Sequence, residues 1–296
     1  MIATGAAGEK ASPGTARRAV TRRAHRVGPN VLLGIGLAML ALLLLACYGA
    51  PLFARYSPTQ LDPLAILKAP SSRHWFGTDQ FGRDIFARTL YAGRVDFLIG
   101  TVLVGVALLV GTVIGMVSAW RGGLADGIVQ RLVDIGFAFP FLVLVISIVG
   151  LRGPGLSSLF IAVSCVAWIF YARLVRSEVM VLKSANYMLA ARTSGFSTAR
   201  VLAVHLLPNV VNQVLLYATS DFVYAVLLGA SVSYLGLGVQ PPTPEWGAMV
   251  QEGQNFVVAQ WWISFFPGLA IVLTGLAFAL IGDSLADKWR NSGSRR

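Results

Sequence analysis

Six blocks of apolar residues, separated by shorter polar stretches, dominate this chain. They cover about 31–53, 97–119, 132–151, 156–175, 211–238 and 262–282. A membrane-spanning helix needs roughly 20 mainly apolar residues. The pattern therefore predicts an all-α, polytopic membrane protein with six transmembrane helices. The ten-residue alternation of barrel strands is missing. Pro140 predicts a kink in the third block. Asp134 near one end of that block and Asp221 within the fifth interrupt the apolar pattern.

Polar stretches divide the chain further. Residues 1–29 carry Ala, Gly, Arg, Ser and Thr without apolar period and read as a disordered basic tail. The first helix occupies 30–54 and an external segment 55–94, where Pro58, Pro63 and Pro70 break any early helix. The end of that segment predicts a short amphipathic helix along the membrane surface. Thr78 or Asp79 offers a cap, Asp79–Arg83 and Asp84–Arg88 are i,i+4 pairs, and Phe81, Ile85 and Leu90 form an apolar stripe. Asp79 and Asp84 lack the further nearby ligands a metal site needs. The other five helices fall in 95–285, with a loop at 241–260 closed by Trp261 and Trp262, and 286–296 form a second basic tail.

Composition agrees with the pattern and sets the orientation. The chain is 56% hydrophobic and 12% charged, against about 25% charged in a soluble domain. The net charge of +11 is distributed by side. With the N-terminus inside, seven basic residues (Arg55, Lys68, Arg73, Arg83, Arg88, Arg94, Arg152) fall outside and the remaining 17 of 24 inside. That bias predicts both termini in the cytoplasm. The basic excess then serves topology and anionic membrane lipid, with no nucleic acid as partner. Cys47 and Cys165 sit in apolar blocks and read as packing residues. Ala46-Cys47 also matches a lipoprotein cleavage site and Arg22-Arg23 a twin-arginine signal, but the basic stretch ahead is too long for a usual signal peptide.

One polar loop, 176–210, is longer than a connector requires. Ser184 or Asn186 can cap a short helix over about 186–198, Met188 to Ala191 favour it, and Gly195 can stop it with φ > 0. Pro208 marks the restart of the fifth membrane helix. His205 as a metal ligand is the sharper alternative, but His25 and His74 lie in distant segments.

The spacing Ala190-Ala191, three residues, Gly195, nine residues, His205, Leu206, Leu207-Pro208-Asn209 resembles the signature of permeases in binding-protein-dependent ABC importers. Two other stretches are similar to the dipeptide, oligopeptide and nickel branch: Gly77, Asp79, Gly82, Arg83 and Asp84 after the first helix, and Leu235 to Pro244 with Trp246-Gly247 after the fifth. Phe266-Pro267-Gly268 fits its last helix. The likeness is to the second, "C", permease subunit of such systems. It departs at Leu189, where the signature has Glu, at Gly229, where the family often has Glu, and in the tail.

The resemblance implies an ABC type I importer permease fold and half of a translocation path for peptides or a related small solute. It implies a homologous second permease, two ATP-binding subunits and an external substrate-binding protein. Ala190, Ala191, Gly195, His205, Leu207 and Pro208 would couple to the ATPases. Gly77, Asp79, Gly82, Arg83, Asp84, Pro241, Pro242 and Trp246 would form an outer gate or contact the binding protein, and Asp221 is a candidate path residue. No catalytic or metal residue is implied. None of the four lysines follows a glycine, so the phosphate loop is absent. ATP and Mg are thus expected on the partners. The alternative is an ion-gradient transporter or channel using Asp134 and Asp221. An intramembrane enzyme finds no histidine in any apolar block to pair with Ser147 or Ser164.

Overall fold

A computed structural model describes residues 29–293. The basic tail over 1–28, its Arg22-Arg23 pair and residues 294–296 lie outside the described residues. Regular structure within them is helical, apart from one isolated bridge between Thr78 and Asp84. Five helices are long and apolar enough to cross a bilayer, and a bent pair makes a sixth if it counts as one span.

The crossings are α1 (Pro29–Tyr48), α2 (Ile85–Arg121), the pair α3 (Gly123–Ala138) and α4 (Phe141–Arg152), α5 (Leu156–Leu182), α7 (Thr198–Tyr234) and α9 (Trp262–Gly293). Two shorter helices lie between them, α6 (Asn186–Thr193) and α8 (Trp246–Gly253). The chain shuttles between two ends of the bundle. At the cap end, Arg94 near the start of α2 bonds the Cys47 and Tyr48 carbonyls, and Gly155 N–H bonds Leu237 O. At the loop end, Lys183 bonds the Ala119 and Trp120 carbonyls.

The tightest helix pair is α2 with α5. A Cβ on Gly111 would lie 2.5 Å from Trp168 O and Tyr171 Cβ, and one on Gly115 2.5 Å from Ala172 O. Glycines four apart let the two backbones touch. In lipid such close packing stands in for the hydrophobic effect, because apolar side chains gain little by leaving one another for acyl chains. Aromatic stacking also joins α7 to α9, with Phe222 on Phe278 at 4.0 Å, and the cap to α9, with Phe76 on Phe266 at 3.8 Å. Cys47 is buried in this packing, while Cys165 is exposed on α5 and is not a packing residue.

Five sequence expectations need correction. The surface helix near 78–90 does not form. Gly77 and Gly82 turn the chain with φ of 76° and 71°, and α2 starts at Ile85 and continues unbroken through the second apolar block. Its cap is Asp84, whose side chain accepts from Ala87 N–H at 2.8 Å, and neither Thr78 nor Asp79 serves. The third block does bend at Pro140, but far more sharply than a kink, since α3 and α4 meet at 89° across Phe139-Pro140. Pro140 lacks an N–H, and Phe139 before it is pushed to extended backbone.

The loop helix stops at Thr193 rather than near 198, and Ser184 Oγ bonds Val181 O rather than capping it. Gly195 does take the left-handed conformation, at φ 77°. The fifth crossing begins at Thr198, thirteen residues before the apolar block at 211, although its α-helical part restarts at Leu207 with Pro208 in the first turn, as expected. The proline's missing N–H is absorbed by a π segment over Val201–Leu206, closed by Leu207 N–H on Leu202 O. Finally, α8 forms inside the predicted loop 241–260, capped by Glu245, which accepts from Gly247 and Ala248 N–H.

Candidate functional site

Three places hold the candidate residues. At the loop end, α6 is anchored through Met188 and Ala191, which are buried, while Tyr187, Leu189 and Ala190 face away from the bundle. Thr193 to Arg200 are all exposed, and nothing would touch a Cβ on Gly195. Gly195 is thus required for its φ, not for space. Ala191 seats the helix, and Leu189, Ala190 and the 193–200 turn form the free surface. Phe196 lies 5.8 Å from the His205 ring and holds the turn over the π segment. Asn209 donates to His205 O at 2.6 Å, and Pro208 is exposed.

The stem below this loop is braced. Arg176 on α5 grips Asp126 on α3 with two bonds of 2.8 and 2.7 Å. Lys183 closes the C-terminal carbonyls of α2. Neither contact is legible in the sequence, because the partners stand 50 and 63 residues apart.

At the cap end the acidic and basic residues of 74–94 turn inward. Asp79 is fully buried and accepts from the backbone N–H of Phe81 and Arg83 and from Arg83 Nε at 2.5 Å. Arg83 and Arg88 both donate to Glu252 Oε2 on α8, at 2.7 and 2.9 Å. Two acids and two bases balance in one largely buried cluster, with Glu252 partly exposed at its edge, and such balance is the condition for burying charge at all. The expected Asp84–Arg88 pair does not form, since Asp84 instead meets His74 Nδ1 at 2.9 Å and Arg88 turns to Glu252. Beside the cluster, Asp96 Oδ2 accepts from Trp246 N–H at 3.1 Å, and Trp246 Nε1–H donates to Thr89 O at 2.9 Å. Gly77, Asp79, Gly82, Arg83, Asp84 and Trp246 are therefore internal fastenings of the cap. Of the cap candidates only Pro241 and Pro242 are exposed. Glu252, Glu245 and Asp96 were missed by the sequence reading, and Arg88 was given the wrong partner. An acid in a nominally polar loop carries no signal until the loop is seen to fold back.

The third place is a cavity of about 430 Å³ between α2, α4, α5 and α7. Leu103, Phe141, Val163, Phe170, Tyr217 and Asp221 form much of its wall. Asp221 accepts from Tyr171 Oη at 2.8 Å. Gly229, two turns on, packs against Ile99 rather than lining the cavity. Asp134 is exposed on α3 and is also absent from the wall, so it forms no relay with Asp221 there. Among the described residues no three His, Cys, Asp or Glu side chains gather where a metal could be held.

A bundle of five or six crossings, a glycine-stopped helix projecting at one end and an internally bolted cap at the other describe a membrane subunit of a larger machine. Residues 111–291 match the family of binding-protein-dependent transport system inner membrane components, and the chain belongs to it. It is a permease subunit of a multi-component ABC importer and not an enzyme, ATP hydrolysis being the work of a partner. It is 39% identical over 249 residues to a probable D,D-dipeptide transport system permease of Escherichia coli, covering 84% of each chain. It is 38% identical to an oligopeptide transport system permease of Bacillus subtilis, covering 88% of this chain and 86% of that one. A glutathione transport system permease of Pectobacterium atrosepticum is 37% identical, covering 87% and 86%.

Proposed function

We propose that this chain forms half of an ATP-driven path for peptides across a bacterial inner membrane. Its loop end faces the cytoplasm and its cap end the outside. The second half comes from a homologous permease, the energy from two subunits that bind ATP and Mg, and the cargo from an external binding protein. Peptides are favoured because relatives of this similarity are named for dipeptide, oligopeptide and glutathione transport. The observation that carries the reading is the loop-end surface. It is a short helix held from behind by two residues, with its outer side and following turn uncovered, over a braced stem. Pushing on that surface moves α5 and α7 together, since both leave from it. Closure of an ATPase pair can then bias the bundle between two packings.

Two experiments test this. Ser194→Cys in a background lacking Cys47 and Cys165 is expected to react with an impermeant maleimide only from the cytoplasmic side. Reaction from outside overturns the orientation. Gly195→Leu forces a branched side chain into left-handed backbone, a cost of about 1–2 kcal/mol. The turn must rearrange, so peptide uptake in the reconstituted complex is expected to fall about tenfold while ATP hydrolysis continues. Unchanged uptake removes the loop from the coupling path.

A further inference from the structure

The cavity at Asp221 is more selective than a passage needs to be. Its wall is aromatic and aliphatic, and Asp221 is the one charged side chain in it. Tyr171 holds one carboxylate oxygen, and the other has no hydrogen-bond partner among the described residues. No basic side chain faces it in an ion pair among those residues either. Such a group at membrane depth is costly and calls for a cation. A hard metal ion needs six or more oxygens, and the wall offers mainly carbon. An alkylammonium suits it better. Its N–H groups can pair with the free carboxylate oxygen, and its apolar stem can lie against the rings of Phe170, Tyr217 and Tyr224. Tyr224 is half exposed and stands at the mouth. The volume falls within the roughly 300–1,000 Å³ of small-molecule sites.

We infer that this cavity is a subsite for the primary ammonium group of the passing solute, with Asp221 as its receptor, so that a free amino terminus is recognised inside the membrane. The inference rests on the peptide-path reading for the identity of the solute, and on the cavity alone for its chemistry. The Tyr171 hydroxyl is a positioning group that orients the carboxylate.

The test uses the complete complex of both permeases and both ATPases in nanodiscs, without the binding protein. Phenethylamine serves as the charged probe and N-acetylphenethylamine as its neutral twin, each followed by saturation-transfer NMR. The charged probe is expected to bind, and the neutral one to bind about tenfold more weakly. Asp221→Asn is expected to abolish that preference, whereas Tyr171→Phe, which frees a second oxygen, retains it. Equal binding of the two probes overturns the proposal, as does an undiminished preference in Asp221→Asn. Equal loss in Asp221→Asn and Tyr171→Phe reduces the pair to a structural hydrogen bond and overturns it too. If Asp221→Asn does not assemble, the two probes on the wild type decide the matter. Normal peptide uptake without probe preference sinks only the subsite. A preference for the charged probe without peptide uptake keeps the subsite and sinks only the peptide reading.

Discussion

Glu252→Ala is expected to cost about 3–5 kcal/mol of stability, the range for removing one partner of a buried ion pair. One oxygen of Glu252 receives both Arg83 and Arg88. Without it two guanidinium groups share Asp79 alone, and Arg88 already has two buried nitrogens without a hydrogen-bond partner. The cluster ties the start of α2 to α8, so its loss opens the cap. Cys47 reports the event, because its thiol is buried in contact range of a Cβ on Gly93 and beside the Trp246 ring. In a Cys165→Ala background, heating with a fluorogenic maleimide is expected to label Cys47 about 10 °C earlier in the variant. Glu252→Gln keeps an acceptor and is expected to shift the onset less. A shift below about 1 °C in Glu252→Ala would mean that the four charges are not a fastening.

Gly115→Leu is expected to have the other large effect. At this point α2 and α5 touch backbone to backbone, and an added Cβ alone would lie 2.9 Å from Ala172 Cα. A branched side chain cannot be housed without parting the helices. Overpacking of one methyl group costs about 1–3 kcal/mol, and leucine adds three further carbons. Gly115→Ala is therefore expected to give less protein with normal elution from size exclusion, and Gly115→Leu almost none. Gly111→Leu should match it and also displace Tyr171 from Asp221. Normal yield of either leucine variant would show that the two helices do not approach so closely.

The crossings were legible because their cause is local. Twenty apolar residues in a row answer to the bilayer wherever they stand in the fold. The ends of the helices were less legible. Thr78 and Asp79 look like caps, and only the turns forced at Gly77 and Gly82 move the helix start on to Asp84. Pro208 looks like a helix start and does open the α-helix at Leu207, but the π segment that leads into it was not legible. The Asp79–Arg83 pair was legible at i,i+4, whereas Arg88 had an equally good local acid in Asp84 and chose one 164 residues away. The G-x-x-x-G spacing at 111–115 was present in the sequence. It did not stand out in a chain with 31 glycines, and only the facing Ala172 gives it meaning. For the loop, spacing located the surface, but only burial separates Ala191, which seats the helix, from Ala190 beside it.

The right-angled corner at Pro140 has a mechanical consequence. Two rods meeting at 89° cannot both stand upright in a bilayer, so at least one arm runs oblique to its normal. If that arm is α3, its outward Leu124, Ile128, Leu132 and Ile135 float it among the acyl chains like an outrigger. Lateral tension in the membrane then pulls on it sideways and turns the elbow.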